Sequence, residues 1–277
     1  MILLSEQFSF EVKFISEWMS QYIGNGFKCY KEYDIPEPLE AESSGEQLTT
    51  DMGKTALLII DLQEDFLPPN GSLAVKDGRT IIPGIIDLMT SDKYKWDAIV
   101  ATKDWHPVDH ISFASTHKKE PFTEILVENP VDKTQPPMTQ VLWPDHCVQN
   151  SKGSDFPPEF QSAFDKVLSE QKVPAKLVLK GYLQDREYYS CFQDVWGIHK
   201  TECTQFLKDN GITDVVSVGI AYDYCVLNSS IDSAKNGFKT TVIHGLTKSV
   251  SPENEEKVTE SYKSHNVKVV ETVSDLF

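Results

Sequence analysis

Three side chains that together can activate a nucleophile stand at the ends of strand-like runs in the sequence. Asp61 and Lys180 close two such runs, and Cys225 comes shortly after a third. Ligands of open α/β sheets bind beyond the carboxyl ends of the strands, so we expect these side chains at one rim. An aspartate that takes the thiol proton and a lysine that holds the thiolate would prepare the cysteine for acyl transfer. The set predicts an amidase or a related hydrolase.

Cys225 is the candidate nucleophile because it opens a predicted helix. Backbone N–H groups and the helix dipole favour a thiolate there, and a neighbouring lysine lowers the thiol pKa further. Each of the three residues also has an ordinary interpretation, as a buried core cysteine, a turn aspartate or a solvated lysine. Their joint occurrence favours the catalytic interpretation.

A second group of residues has the composition of a metal site. Asp104 and His106 stand two residues apart, hence on one side of a continuing strand, and His146 offers a third ligand. Spacing alone leaves open whether these residues hold a metal or cap turns. His110 is a further imidazole, with a structural or supporting role. Glu187 either orients metal-bound water or stands at the start of a helix, where the dipole favours it.

The elements that must position these residues alternate along the chain from Thr55 onward. Short β-branched runs followed by helical stretches predict an α/β doubly wound fold, with a mostly parallel five- or six-stranded sheet and helices on both faces. The predicted strands are TALLII, DAIVAT, KLVLK, DVVSVGI, KTTVIH and VKVV. The predicted helices are TIIPGIIDLM, PEFQSAFDKVL, TECTQFLKDN, CVLNSSIDSAKNGF and ENEEKVTESYKSH.

A long connection interrupts this alternation between Ser115 and Trp143. The stretch contains four prolines and is predicted to be a loop, longer than is usual in such folds. Long loops often line functional sites. No glycine-rich phosphate-binding motif follows a strand, so the sequence offers no support for a dinucleotide-binding domain.

Charge and composition exclude several classes of partner. The 277 residues include 26 Lys and Arg against 42 Asp and Glu, a formal net charge of −16. This charge repels phosphate backbones and anionic membranes, so we expect no nucleic acid and no membrane as a partner. Five scattered cysteines without CxxC spacing, and an amino terminus without a basic lead, predict a cytoplasmic protein with reduced thiols. Nucleus and peroxisome stay open as alternatives.

The composition and the hydrophobic pattern of residues 1–53 differ from those of the rest of the chain. These residues combine an aromatic stretch at 8–22 with an acidic tract at 35–47 that lacks the period of a buried element. We interpret them as an N-terminal extension, partly disordered, that precedes one α/β domain at 54–277. The alternative is an amphipathic helix over 8–22 that docks on this domain.

Five segments carry a resemblance to a known family, in the family's order and at its separations. They are LIIDLQEDF, TKDWHP followed by HISFA, LWPDHC, KGYLQDREYYSCF and VGIAYDYCV. Over roughly Thr55 to Val270 the chain resembles the nicotinamidases of the isochorismatase-like cysteine hydrolase superfamily, in their fungal form. The resemblance implies the isochorismatase-like hydrolase fold for residues 54–277.

The resemblance also implies roles for the nucleophile and its neighbours. Asp61, Lys180 and Cys225 match the catalytic triad of the family. Ile220 and Ala221 match a pair joined by a cis peptide. The backbone N–H groups of Ala221 and Cys225 would then form the oxyanion hole.

A metal and a substrate pocket follow from the same resemblance. Asp104, His106 and His146 match the ligands of a zinc or similar divalent ion, and this ligand set also suits Mn²⁺ or Fe²⁺. The residues expected to wall the pyridine ring are Phe66, Trp143 and Tyr189. Core packing is the alternative role for each of these three aromatic side chains.

The predicted activity is the hydrolysis of nicotinamide to nicotinate and ammonia in NAD salvage, through a thioester on Cys225. Two alternatives stay open: a related small aromatic amide as substrate, and a catalytically silent scaffold that keeps the fold. A vinyl ether substrate is disfavoured by the cysteine and by the metal ligands. The sequence leaves the oligomeric state open, a homo-oligomer included.

Overall fold

The computed structural model describes residues 53–276, which are built around a parallel β-sheet. The strands are β1 (Lys54–Ile60), β2 (Ala98–Asp104), β3 (Glu124–Val127), β4 (Met138–Val141), β5 (Ala175–Lys180), β6 (Ile212–Ile220), β7 (Lys239–Lys248) and β8 (Lys268–Val270). Six of them form one sheet in the order β5-β2-β1-β6-β7-β8, and each neighbouring pair is parallel.

Helices cover this sheet. They are α1 (Ile82–Thr90), α2 (Ala114–His117), α3 (Pro158–Glu170), α4 (Cys203–Asp209), α5 (Cys225–Lys235) and α6 (Glu255–Ser264). Helix α1 packs against α3, and α5 packs against α6. The last five residues of β1 and all seven of β2 are buried, so both faces of the central strands are covered. Burial on both faces explains why β1 has a continuous apolar run rather than an alternating one.

The order of the strands places a crevice between β1 and β6. From β1 the chain first builds outward through β2 and β5, and then returns to the other side of β1 to build β6, β7 and β8. At such a reversal the loops that follow the two central strands leave in opposite directions and open a ligand crevice at their carboxyl ends. Asp61 follows β1 and Ala221 follows β6, so both border this crevice.

The predicted α/β doubly wound fold is confirmed, and the six predicted strands are the six strands of the main sheet. The prediction of a loop between Ser115 and Trp143 is wrong in part. This stretch contains the antiparallel pair β3–β4, in which Glu124 lies opposite Val141. Each strand has only four residues, and their sequences EILV and MTQV offer at most three consecutive apolar residues, fewer than the roughly four to eight that mark a buried strand.

Residues 1–52 lie outside the described residues, so the predicted N-terminal extension and its docking helix stay predictions. Among residues 53–276, no helix has both the length and the apolar character that crossing a membrane requires.

Gly219 allows β6 to approach β1 at the crevice. Its φ is +114°, and a Cβ atom at this position would lie 2.1 Å from the carbonyl oxygen of Ile60. We expect Gly219→Ala to lower the free energy of unfolding by about 3 kcal/mol or more, because backbone strain and overlap with β1 add together. Urea unfolding followed by circular dichroism measures this loss.

Gly237→Ala is the matched control, since Gly237 has a φ of +93° and nothing lies within 4 Å of an added Cβ. Only backbone strain acts there, and we expect a loss of about 1 kcal/mol. Equal losses in the two variants would contradict the packing argument for Gly219.

Candidate active site

A buried ammonium group is the centre of the candidate site. Lys180 ends β5, where it pairs in register with Asp104 at the end of β2. Its Nζ lies 2.8 Å from Asp61 Oδ2 and 2.5 Å from Asp104 Oδ1. The same Nζ lies 3.4 Å from Cys225 Sγ and donates a 2.9 Å hydrogen bond to the carbonyl oxygen of Tyr188. The structure thus brings the three predicted triad residues together.

The charges of this cluster stabilise one another. Burial by itself would lower the pKa of Lys180, but Asp104 and Asp61 outweigh it and raise that pKa well above its usual value. Burial raises the pKa of Asp61, while Lys180 opposes the rise. For Asp104, Lys180 and His106 outweigh burial and lower the pKa of the carboxyl group. Lys180 is therefore charged, and Asp61 is a stronger base than an exposed aspartate.

The expected low pKa of Cys225 is not what the structure shows. Burial raises the pKa of the thiol well above its usual value, and Asp61 and Asp104 reinforce the rise while Lys180 opposes it. Burial of the sulfur is the largest of these effects, and the sequence alone does not show how deeply Cys225 is buried. Cys225 is a neutral thiol at rest, and its proton has to be taken by a base when it reacts.

Two polar residues that sequence reasoning missed hold the carboxylates. Thr102 on β2 accepts a 3.1 Å hydrogen bond from the backbone N–H of Asp61 and donates a 2.6 Å bond to Asp61 Oδ1. Gln63 forms paired 2.8 Å bonds with the backbone N–H and carbonyl of Asp104. The sequence offered one signal for both residues. Thr102 stands two residues before Asp104 in TKDWHP, and Gln63 stands two residues after Asp61 in LIIDLQEDF.

The three predicted metal ligands also come together. Asp104, His106 and His146 are buried, and one possible ligand atom from each lies within 4.8 Å of the others. His106 Nδ1 lies 2.9 Å from the carbonyl oxygen of Gly181, and His146 Nδ1 lies 2.7 Å from that of Pro144. A carbonyl can only accept, so each Nδ1 carries a proton and each Nε2 is the nitrogen available to a ligand. Although burial lowers the pKa of His106, Asp104 outweighs it and raises that pKa, so an ion that bound there would compete with a proton for Nε2.

An unpartnered nitrogen shows that these residues fit a metal. His106 Nε2 is buried without a hydrogen-bond partner, although buried polar atoms are normally satisfied. Burial, reinforced by His106, lowers the pKa of His146 to about 4, so His146 is neutral at pH 7. Two imidazole lone pairs and one carboxylate are a suitable donor set for zinc and for neighbouring divalent ions.

The two predicted supporting residues have different surroundings. His110 stacks on His106 with ring centroids 4.1 Å apart, and both of its ring nitrogens have protein partners, Ser112 Oγ and the carbonyl of Arg186. His110 thus supports His106. Glu187 is buried in the connection between β5 and α4, so the helix-start interpretation is wrong.

A pocket lies over Cys225. It is bordered by all three aromatic residues predicted to wall a substrate ring. These residues are Phe66, Trp143 and Tyr189. The indole N–H of Trp143 donates a 3.2 Å hydrogen bond to the hydroxyl of Tyr189. Asp104, His146 and Glu187 also border the pocket, so it joins the thiol to the metal-ligand cluster.

Sequence reasoning missed three further residues of this pocket. They are Leu73, Tyr224 and Val250. The ring of Tyr224 meets that of Trp143 edge-on at 5.1 Å. Tyr224 adjoins the nucleophile in VGIAYDYCV, which was a usable signal, whereas the other two come from distant loops whose approach only the fold produces.

The turn that carries the nucleophile begins with the predicted cis peptide between Ile220 and Ala221. Cys225 is the first residue of α5, whose first-turn N–H groups have no carbonyl partner within the helix. Ala221 and Cys225 both border the pocket. Free N–H groups beside a nucleophile are the requirement for holding an oxyanion.

A doubly wound α/β fold with a buried Asp-Lys-Cys cluster at its switch point defines a class of cysteine-dependent hydrolases. The chain belongs to the isochorismatase family, whose domain matches residues 55–274. The predicted family is therefore confirmed.

Known relatives cover most of the chain. The nicotinamidase of Saccharomyces cerevisiae is 41% identical over 218 residues, which are 78% of this chain and 98% of that protein. The nicotinamidase of Escherichia coli is 35% identical over 69% of this chain and 82% of its own length. The solved structure of the yeast nicotinamidase superimposes with a TM-score of 0.74 over 79% of this chain and 100% of its own. The prediction of a nicotinamidase is borne out by these relatives.

Two related structures hold small ligands. The yeast nicotinamidase has been solved with the inhibitor nicotinaldehyde. A pyrazinamidase of Pyrococcus horikoshii, solved in complex with zinc, is 32% identical with a TM-score of 0.58, over 79% of this chain and 99% of its own.

Lys180→Met tests the charge balance of the site. It leaves two buried carboxylates without their common partner, and we expect it to lower the free energy of unfolding by about 3–5 kcal/mol. Lys176→Met on the same strand is the control, because Lys176 makes a partly exposed 3.8 Å contact with Glu202 and a distant contact with the ring of Phe206, at 5.9 Å from the ring centroid. We expect it to cost less than about 1 kcal/mol in urea unfolding. Similar costs for both variants would contradict the account.

Proposed function

We propose that this protein is a nicotinamidase, which hydrolyses nicotinamide to nicotinate and ammonia in NAD salvage. The observation that carries the proposal is the Lys180 ammonium within reach of both Asp61 and Cys225, beneath an aromatic pocket. The family and its nicotinamidase relatives support the same activity.

Asp61 is the general base for the first step. One carboxylate oxygen of Asp61 lies within 4.8 Å of Cys225 Sγ, and both residues are buried. Asp61 takes the proton from Sγ as the sulfur attacks the amide carbon, and a C–S bond forms. The raised pKa of the Asp61 carboxyl favours this transfer. Lys180 stabilises the negative charge as it moves between carboxylate and sulfur.

The remaining steps release first ammonia and then nicotinate. The oxygen of the tetrahedral intermediate accepts hydrogen bonds from the N–H groups of Ala221 and Cys225. Asp61 returns the proton to the amide nitrogen, the C–N bond breaks and ammonia leaves a thioester. Water, deprotonated by Asp61, attacks the thioester, the C–S bond breaks and the proton returns to Sγ.

The pocket walls select a flat ring. Phe66, Trp143 and Tyr189 contact the two faces and the edge of a pyridine through stacking and edge-on contacts. Other small aromatic amides, pyrazinamide among them, differ from nicotinamide mainly at the ring. We therefore expect partial activity on such amides, at a rate that these walls determine.

Asp104, His106 and His146 would hold a divalent ion beside the pocket, which Asp104 and His146 border, with zinc, Mn²⁺ and Fe²⁺ as the candidates. When bound, such an ion supplies a Lewis acid that orients a pyridine nitrogen. Glu187 borders the pocket beside these ligands and would orient a water molecule there. We place the activity in the cytoplasm, with nucleus and peroxisome as alternatives.

Cys225→Ala tests the nucleophile. We expect ammonia release from nicotinamide to fall at least about 10³-fold, because the covalent route is lost. Cys191→Ala is the control, since Cys191 is equally buried but its sulfur neighbours Cys203 rather than the lysine. Substantial turnover by Cys225→Ala would refute the thioester mechanism. No turnover by fresh, reduced wild-type protein would point to another amide or to a silent scaffold.

Removal of the metal tests the second group of residues. We expect about one divalent ion per chain in the purified protein, loss of activity on chelation, and recovery with zinc. His146→Ala should lower the metal content measured by mass spectrometry. Full turnover by metal-free protein, or unchanged metal content in His146→Ala, would assign these residues a structural role.

A further inference from the structure

We propose that Asp223 is a positioning residue, which holds the loop of residues 249–251 in place as a wall of the substrate pocket and so sets substrate affinity. Asp223 itself does not border the pocket, whereas Val250 of this loop does. The expected effect on KM rests on the proposed amidase function, whereas the role of Asp223 in holding the loop does not.

Asp223 holds the loop through two adjacent backbone groups. Its Oδ1 accepts a 2.9 Å hydrogen bond from the N–H of Val250, and its Oδ2 accepts a 2.8 Å bond from the N–H of Ser251. Asp223 is only 2% exposed, and these bonds compensate the burial of its charge. Burial raises the pKa of Asp223 to about 6, so the group is ionised at pH 7 and both bonds are charge-assisted.

A second carboxylate anchors the same loop from α6. The hydroxyl of Ser249 donates a 2.6 Å hydrogen bond to Glu255 Oε1. The other oxygen of Glu255 lies 3.1 Å from His244 Nε2, and His244 Nδ1 lies 2.9 Å from Glu271. Val250 is half-buried between the two anchored serines. The loop is thus held in place by hydrogen bonds to two carboxylates that lie outside it, those of Asp223 and Glu255.

The turn that carries the nucleophile has its own supports, which do not involve the Asp223 side chain. The N–H of Val226 donates to the carbonyl of Ala221 at 3.0 Å. The N–H of Tyr222 donates a 2.9 Å hydrogen bond to the carbonyl oxygen of Lys248. The hydroxyl of Tyr262 donates a 2.6 Å hydrogen bond to the carbonyl oxygen of Tyr222. Loss of the carboxylate should therefore release the loop while the turn before Cys225 keeps its shape.

This separation predicts which kinetic constant changes. A wall residue contacts the ring of the substrate equally in the ground state and in the transition state, because the ring does not react. Loss of a contact that stabilises both states equally raises KM and leaves kcat unchanged. A residue that acted on the nucleophile would lower kcat instead.

Asp223→Asn is the test, because an amide of the same size has one acceptor oxygen and presents an N–H₂ group to the second backbone donor. We expect KM for nicotinamide to rise about tenfold and kcat to stay within about threefold of the wild type. A rise in KM below threefold, or a fall in kcat that exceeds the rise in KM, would overturn the proposal.

Hydrogen exchange gives a readout that does not need activity. In Asp223→Asn the amides of Val250 and Ser251 should exchange at least about tenfold faster, while those of Tyr222 and Val226 should change less than threefold. Unchanged exchange in the loop would overturn the proposal. If the wild type failed to hydrolyse nicotinamide, the proposed function would fail and this measurement would still decide the role of Asp223.

Asp194→Asn is the matched control. Asp194 is also 2% exposed and accepts bonds from the backbone N–H groups of Trp196 at 2.7 Å and His199 at 2.6 Å, and none of residues 194–199 borders the pocket. We expect its KM within about twofold of the wild type. An equal rise in both variants would show that loss of any buried carboxylate has this effect, and would overturn the proposal.

Two further variants keep the inference testable. Val250→Ala removes the wall directly, so its effect on KM should not add to that of Asp223→Asn in the double variant. Full additivity would overturn the proposal. If Asp223→Asn does not fold, Ser249→Ala releases the same loop from Glu255, and we expect faster loop exchange with a rise in KM of about threefold. No change in either quantity would overturn it.

Discussion

The buried ammonium of Lys180 is the constraint on which the rest of the site depends. A charge removed from water is tolerated only with close partners of opposite sign, and Lys180 has two, Asp61 and Asp104. The three residues end or follow β5, β1 and β2, which are neighbours in the sheet. A shift of one strand relative to the next would separate the charges, so the register of the sheet and the chemistry of the site are coupled.

Asp104 makes the triad and the metal-ligand cluster one electrostatic unit. One of its oxygens lies 2.5 Å from Lys180 Nζ, and the other lies 3.7 Å from His106 Nε2. Gln63 fixes the backbone of Asp104 by paired hydrogen bonds. Because a single carboxylate faces both groups, a change in the charge of one group alters the field at the other.

The neutral state of the Cys225 thiol is a consequence of the same arrangement. Burial of the sulfur disfavours a thiolate in the free protein, Asp61 and Asp104 add to this effect, and Lys180 only partly offsets it. Attack by the sulfur therefore requires transfer of its proton to a base, for which Asp61 is the candidate, at a residue that is only 7% exposed. The pocket wall formed by Val250 depends on Asp223 and Glu255, which lie behind the reacting groups.

The sequence by itself determined the α/β class and the six strands of the sheet, and it singled out the candidate triad, because parallel strands are continuous apolar runs and polar residues near their ends are conspicuous. The candidate metal ligands were singled out by their residue types and by the resemblance to a family. The sequence did not determine the strands β3 and β4, which have only four residues each. Nor did it determine the thiol pKa, the supports Thr102 and Gln63, or the wall residues Leu73 and Val250. These depend on distances between groups far apart in the chain, and only the tertiary structure, which sets burial and the number of charges around each group, decided them.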